Sequence, residues 1–150
     1  MSQSLAQILV HLVFSTKDRH PLIHDDIRGE LHAYLSGILR AHESPALMIN
    51  TEPDHAHILF SLSKKRALAD VVEEVKKGSS KWIKSRGPAY TGFYWQGGYG
   101  AFAVSESHRE EVIRYIAHQR EHHRQTTFME ELRTLFTLNG IVYDERYLWD

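Results

Sequence analysis

Two histidines separated by one residue, His55-Ala56-His57, are the side chains of this chain best suited to metal chemistry. They open an apolar run, residues 55–62, that reads as a β-strand. Side chains alternate along a strand, so His55 and His57 project side by side while Ala56 turns into the core. Two neutral imidazoles so placed can hold one divalent cation. Two unrelated histidines at the start of a strand are the plainer alternative. A second constellation is Tyr115-Ile116-Ala117-His118-Gln119, within a helical pattern. Residues four apart on a helix are neighbours, so Tyr115 and Gln119 share a face. Val112, Ile113 and Ile116 form the adjoining apolar stripe, and His122 lies close by. An amphipathic helix whose tyrosine packs at the core edge would account for the same spacing.

Two further groups bear on binding. Residues 94–102, YWQGGYGAF, combine aromatics that stack on unpaired bases with glycines that let the backbone approach a ligand. No phosphate-binding fingerprint is present, because no helix of the right pattern follows directly. A bent strand with core aromatics explains Trp95 and Phe102 equally well. Basic residues lie in the first loop, at Lys17 and Arg19, and along one helix face, at Lys77, Lys81 and Lys84. Such a stripe is often only a solvated face. It can follow a phosphate backbone if it shares a side with the histidines.

The elements that must position these groups follow from periodicity and punctuation. Residues 5–15 read as a strand, and 16–26, with Pro21, as a loop. Helical spacing runs over 27–42, started by Asp25 or Asp26 and closed before Pro45. Residues 46–51 and 55–62 form two strands around the turn Glu52-Pro53-Asp54. A helix spans 68–84 and stops at Gly87-Pro88. Residues 93–104 read as a fourth strand, bent by Gly97, Gly98 and Gly100. A third helix, capped by Ser105 or Ser107, runs to about residue 125. A fourth covers 128–138 and ends at Asn139-Gly140. The tail, 141–150, carries Tyr143, Tyr147 and Trp149 and is expected to dock. The order predicts an α+β, ferredoxin-like (RNA-recognition-motif-like) antiparallel sheet with helices on one face plus extra C-terminal helices. Residues 1–150 read as one domain.

Composition narrows the function classes. The chain has 150 residues, 42% hydrophobic and 25% charged, values ordinary for a soluble globular domain. The absence of cysteine rules out a disulfide scaffold and any thiolate metal site, and suits a cytoplasmic location. No signal peptide is expected, and the longest apolar run, residues 8–14, is too short to span a membrane. The net charge of −1 argues mildly against a nucleic-acid binder. Local charge differs: residues 64–86 hold eight basic side chains against three acidic ones, a surplus of five. Eleven histidines make metal chemistry worth pursuing.

Pro53-Asp54-His55-Ala56-His57, Gly78-Ser79-Ser80-Lys81-Trp82, the run from Trp95 to Phe102 and Tyr115-Ile116-Ala117-His118-Gln119 occur in an order that resembles a known family. It is the small single-tyrosine HUH transposases of the insertion-sequence-200 type, with their REP-associated relatives. The opening His11-Leu12-Val13-Phe14-Ser15-Thr16-Lys17 is also similar to theirs, and the resemblance covers roughly residues 7–131. It implies that His55 and His57 are the metal-binding pair, Gln119 the third ligand, with Mg²⁺ or Mn²⁺ as the ion, and Tyr115 the nucleophile. It implies single-stranded hairpin DNA as substrate, a 5′-phosphotyrosine intermediate, a homodimer, and no nucleotide cofactor or membrane partner. A tyrosine hydroxyl has a pKa near 10, so a base is needed; His118 and His122 are candidates. Two other readings remain. One is a non-catalytic single-stranded nucleic-acid-binding domain. The other is a zinc hydrolase using His55, His57 and one of His118, His122 or His123.

Overall fold

The computed structural model describes residues 2–146 and 148. Its frame is an antiparallel sheet of four strands: β1 (Leu9–Ser15), β2 (Ala46–Glu52), β3 (His55–Ser61) and β4 (Gly100–Val104). Their spatial order is β2-β3-β1-β4, which is the expected ferredoxin-like arrangement. All seven residues of β1 are buried. This is what a central strand covered on both faces requires, and β1 is accordingly apolar nearly throughout.

The two faces divide the helices. Helices α1 (Arg28–Ala41) and α2 (Leu68–Lys84) cover one face, where Leu12, Phe14, Ala56, Ile58 and Phe60 meet Leu31, Leu35, Val72 and Val75. The helices cross closely at Gly78, where a Cβ would fall 2.9 Å from Ile38 Cδ1. Helices α3 (Arg109–Ala117), α4 (Gln119–His122) and α5 (Phe128–Leu138) follow. They supply the opposite layer: Ile116 packs with Leu9 and Leu59, and Phe128, Leu132 and Phe136 pack with Val13 and Phe102. The C-terminal helices are therefore the second cover of the sheet, and anything that β3 presents on that side is enclosed.

Three expected boundaries shift. Residues 5–8 precede β1 outside the strand, although the Ile8 carbonyl accepts from Leu62 N at 2.8 Å, and Leu5 and Ile8 are exposed. The fourth strand begins only at Gly100, and Trp95 keeps a single bridge to Thr16. Gly98 turns with φ +82°, a conformation that favours glycine. Lys76 Nζ donates to the carbonyls of Gln96 and Gly98 at 2.6 and 2.8 Å, so those oxygens serve a lysine rather than a ladder. The helix expected to reach residue 125 breaks at His118 (φ −100°, ψ +23°) into α3 and α4. There the Asn50 side chain on β2 donates to the Ile116 carbonyl at 2.7 Å, a tertiary contact that periodicity cannot reveal.

The tail docks in part, with the Tyr143 ring 5.2 Å from that of Phe136. Tyr147 and Trp149 lie outside the described residues. Among the described residues no helix is long and apolar enough to cross a membrane.

Candidate active site

Strand β3 does what alternation requires. Ala56 joins the core against α1 and α2, while His55 and His57 point to the other face, each 1% exposed or less. Asp54 holds His55 from behind, with Oδ1 2.6 Å from Nδ1. That contact leaves His55 Nε2 facing inward, as an oriented metal ligand needs. His57 is held the same way by another ring, its Nδ1 lying 2.8 Å from His11 Nε2 on β1.

Both inward nitrogens meet a carboxylate. Glu131, on α5 and 2% exposed, places Oε1 2.9 Å from His57 Nε2, 3.0 Å from His123 Nε2 and 3.7 Å from His55 Nε2. Gln119 is fully buried at the start of α4. Its Oε1 lies 3.3 Å from His55 Nε2 and 2.8 Å from His123 Nε2, and its amide donates to Glu131 Oε2 at 3.0 Å. The Tyr115 hydroxyl donates to the same Oε2. One carboxylate therefore joins the histidine cluster to the tyrosine.

The donor chemistry fits a divalent cation. One ligand atom each from His55, His57, His123 and Glu131 lies within 4.8 Å of the others, and Gln119 Oε1 borders the same space. Three imidazoles with a carboxylate suit a transition-metal dication, and added oxygen donors keep Mn²⁺ and Mg²⁺ eligible.

Electrostatics follow burial and this pairing. Burial pushes His57 down to about 4, against the pull of Glu131, and pushes His11 down to about 3. Both rings are neutral near pH 7, the form that ligates a metal. Burial alone would raise Glu131, but hydrogen bonds from His123, His57 and Tyr115 outweigh it and hold the carboxyl ionised. Burial would lower His123, but the bond to Glu131, the charge of that carboxylate, and the contributions of Thr126 and Asp54 together outweigh it and raise the ring. Burial first, and then the charge of Glu131, push the Tyr115 phenol above its ordinary value.

Of the groups named from sequence, the fold gathers His55, His57, Tyr115 and Gln119 around one point. His123 joins them. His122 stands at the rim, Nε2 3.5 Å from Glu131 Oε2, and exposed His118 bonds back to the Arg114 carbonyl. Arg19 lines a cleft of about 520 Å³ together with Asp54, Arg120 and His123, on the side of the first loop. Lys17, two residues before Arg19, is exposed. Lys77, Lys81 and Lys84 lie on α2, so the sheet separates them from the histidines. Lys84 Nζ sits 3.9 Å from the centre of the Tyr94 ring. Trp95 packs on Phe14 and Phe93 and donates to Ser79 Oγ at 2.9 Å, and Phe102 belongs to the second core, so both are structural.

Glu131 escaped the sequence reading. A signal exists: it falls three residues after Phe128 and one before Leu132, a carboxylate on the apolar face of its helix. Such a residue must find buried partners. What those partners are only the packing of α5 on β3 reveals.

A ferredoxin-like sheet carrying a buried histidine and carboxylate cluster, able to hold a cation and joined to a helix-borne tyrosine, defines the class of α+β protein to which this chain is to be compared. Residues 4–119 match the family described as Transposase IS200 like, and the chain belongs to that family. The ISDra2 transposase TnpA of Deinococcus radiodurans is 25% identical over 120 residues, spanning 77% of this chain and 86% of the relative. Among solved structures, the fold is similar to a candidate transposase from Deinococcus radiodurans, with TM-score 0.62 and 24% identity over 79% of this chain and 98% of that one. It is also similar to a REP-associated tyrosine transposase bound to a REP hairpin, with TM-score 0.59 and 15% identity over 82% and 74%. The family match stops at residue 119, so His123 and Glu131 lie beyond it.

Proposed function

We propose that this transposase cleaves and rejoins single-stranded hairpin DNA, with Tyr115 as the nucleophile and Mg²⁺ or Mn²⁺ at the histidine cluster. The observation that carries the reading is the meeting of Tyr115, His55, His57 and Gln119 around Glu131 in a chain of this family. His55, His57 and Gln119 would hold the ion, with His123 and Glu131 as further donors. When bound, the cation supplies Lewis-acid polarisation of the scissile phosphate and stabilises charge on the leaving oxygen.

The chain's own residues do the rest. Tyr115 gives up its phenolic proton as its oxygen attacks phosphorus, the P–O3′ bond breaks, and the leaving 3′-oxygen takes up a proton, so a 5′-phosphotyrosine and a free 3′-hydroxyl result. A later 3′-hydroxyl reverses the step, so strands rejoin without a nucleotide cofactor. Asp54 keeps His55 aimed inward, and Gln119, just past the break at His118, reaches the cluster. Tyr115 also borders a groove of about 920 Å³ between β4, α3 and α5, with His11, Phe102, Val112 and Leu135. A single strand, whose bases are free to stack, fits such a wall better than a duplex. Arg19 and Lys17, on the other flank, would meet phosphate. The resemblance supports a homodimer and a cytoplasmic protein.

The test is a denaturing gel of the protein with labelled single-stranded DNA from the flanks of its gene. A covalent adduct that needs Mg²⁺ or Mn²⁺ and is lost in Tyr115→Phe and His57→Ala is expected. An adduct that persists in Tyr115→Phe would remove the nucleophile assignment.

A further inference from the structure

We propose that His11 is a positioning residue for His57, and that the two rings exchange tautomers together when a divalent cation enters. This rests on the metal reading above and concerns how one buried ring can meet both the Glu131 carboxylate and a cation.

His11 is the third residue of β1, and no role is otherwise attached to it. It lies in register with Leu59 on β3 and Phe102 on β4, and His57 pairs with Val13 two residues further along. His11 and His57 are thus diagonal neighbours on one face. Their rings stack at 5.1 Å with 28° between planes, and His11 Nε2 faces His57 Nδ1 at 2.8 Å. Both side chains are buried. One hydrogen, and only one, occupies the space between those nitrogens when both rings are neutral and bonded.

Which ring owns that hydrogen depends on the far side of His57. Where His57 Nε2 faces Glu131 Oε1, the two lie 2.9 Å apart. A carboxylate only accepts, so Nε2 carries the proton. The neutral ring then has a bare Nδ1, and His11 Nε2 donates to it. A cation requires the lone pair of His57 Nε2. The proton of that ring must now sit on Nδ1 and be donated to His11 Nε2, whose ring carries its own proton on Nδ1.

Atoms balance through the change. One proton leaves His57 Nε2 for solvent, the shared hydrogen passes from His11 Nε2 to His57 Nδ1, and His11 Nδ1 takes one proton from solvent. A carbonyl or carboxylate, the usual partner of a ligating histidine, can only accept. Facing such a partner and Glu131 at once, His57 would have to be doubly protonated, and loading would require a net loss of charge. An imidazole donates in one state and accepts in the other, so the contact between His11 Nε2 and His57 Nδ1 is kept in both. The rings of Phe102 and Tyr115, 5.9 and 6.0 Å from that of His11, hold it in place, and the exchange needs protons to move but no heavy atoms.

The test combines ring-nitrogen NMR with ion binding. In ¹⁵N-histidine-labelled wild-type protein, the metal-free spectrum should show His11 and His57 as Nε2–H tautomers. After Zn²⁺ loading, a diamagnetic probe, both should be Nδ1–H. Free Mn²⁺ measured by electron paramagnetic resonance should show His11→Phe binding about 10–100-fold more weakly. His11→Gln, whose amide offers both a donor and an acceptor, should recover most of the loss. An unchanged His11 tautomer on loading, or wild-type Mn²⁺ affinity in His11→Phe, would overturn the proposal while leaving the metal centre standing. Failure of the wild-type protein to take up either ion would remove the metal reading and this proposal with it. The NMR readout needs no variant, so a His11→Phe chain that failed to fold would not block the decision.

Discussion

Glu131 sets the charge balance of the site at the scale of single residues. Its carboxylate is almost fully buried, and an unpaired charge there would be costly. His57, His123, Gln119 and Tyr115 all direct hydrogens at it. The same carboxylate is the only acid in the group of residues able to hold a cation. Glu131→Gln keeps the shape and removes the charge. Its expected effect is at least a tenfold loss of Mn²⁺ affinity by titration calorimetry, and unchanged affinity would exclude Glu131 as a donor. In the metal-free protein, Glu131→Ala strips charge-assisted hydrogen bonds and should cost about 2 kcal/mol in a urea titration.

At the scale of elements, the break between α3 and α4 aims the site. Across the break Gln119 reaches the histidine cluster and Tyr115 borders the groove, and the two side chains still meet the one Glu131 carboxylate. Asn50 holds the break, donating to Ile116 O and accepting from Thr51 N at 3.0 Å, with Arg28 on its other side. Asn50→Ala removes a buried hydrogen-bonding group that serves both β2 and α3. The expected cost is about 1–3 kcal/mol of stability, together with a loss of adduct yield larger than the thermal shift explains. Wild-type adduct yield in a destabilised Asn50→Ala protein would show that the break does not position Gln119. How much of this could be read in advance divides cleanly. The strand alternation at His55 and His57 and the shared face of Tyr115 and Gln119 were legible, because both are local periodicities. The break, the closing of the second face by α5 and the shortened β4 were not, because each depends on contacts between segments distant in sequence.

At the scale of the whole molecule, the buried histidines couple stability to pH. His11 and His57 are pushed below 6.5, to about 3 and about 4. The unfolded chain therefore binds protons between pH 6.5 and about 4 that the folded chain refuses. Stability rises with pH where the unfolded state holds more protons, so it should fall as the metal-free protein is taken from pH 7 toward 5. Each ring contributes about 1 kcal/mol of loss by pH 5.5. His123, raised by Glu131, works the other way and offsets part of it. The check is the melting temperature in a chelating buffer, expected to drop across that range. A flat profile would mean that the two rings accept protons in place. Sedimentation equilibrium should also return twice the 17.4 kDa chain mass if the protein works as the proposed dimer.

By itself the sequence determined the element order, the ferredoxin-like sheet, the histidine pair facing away from Ala56 and the tyrosine helix. These follow from side-chain alternation and helical spacing, which act over a few residues. Only the tertiary structure decided which groups stand around those histidines. Asp54 is adjacent in sequence to His55, but His11 reaches His57 across the β1–β3 ladder and Glu131 arrives from a helix more than seventy residues on. The basic stripe on α2 looked from its composition like a nucleic-acid contact, yet the sheet separates it from the site. Charge pattern along a helix is a local property. The side of the sheet on which that helix packs is set by burying its apolar face, and that is a property of the whole fold.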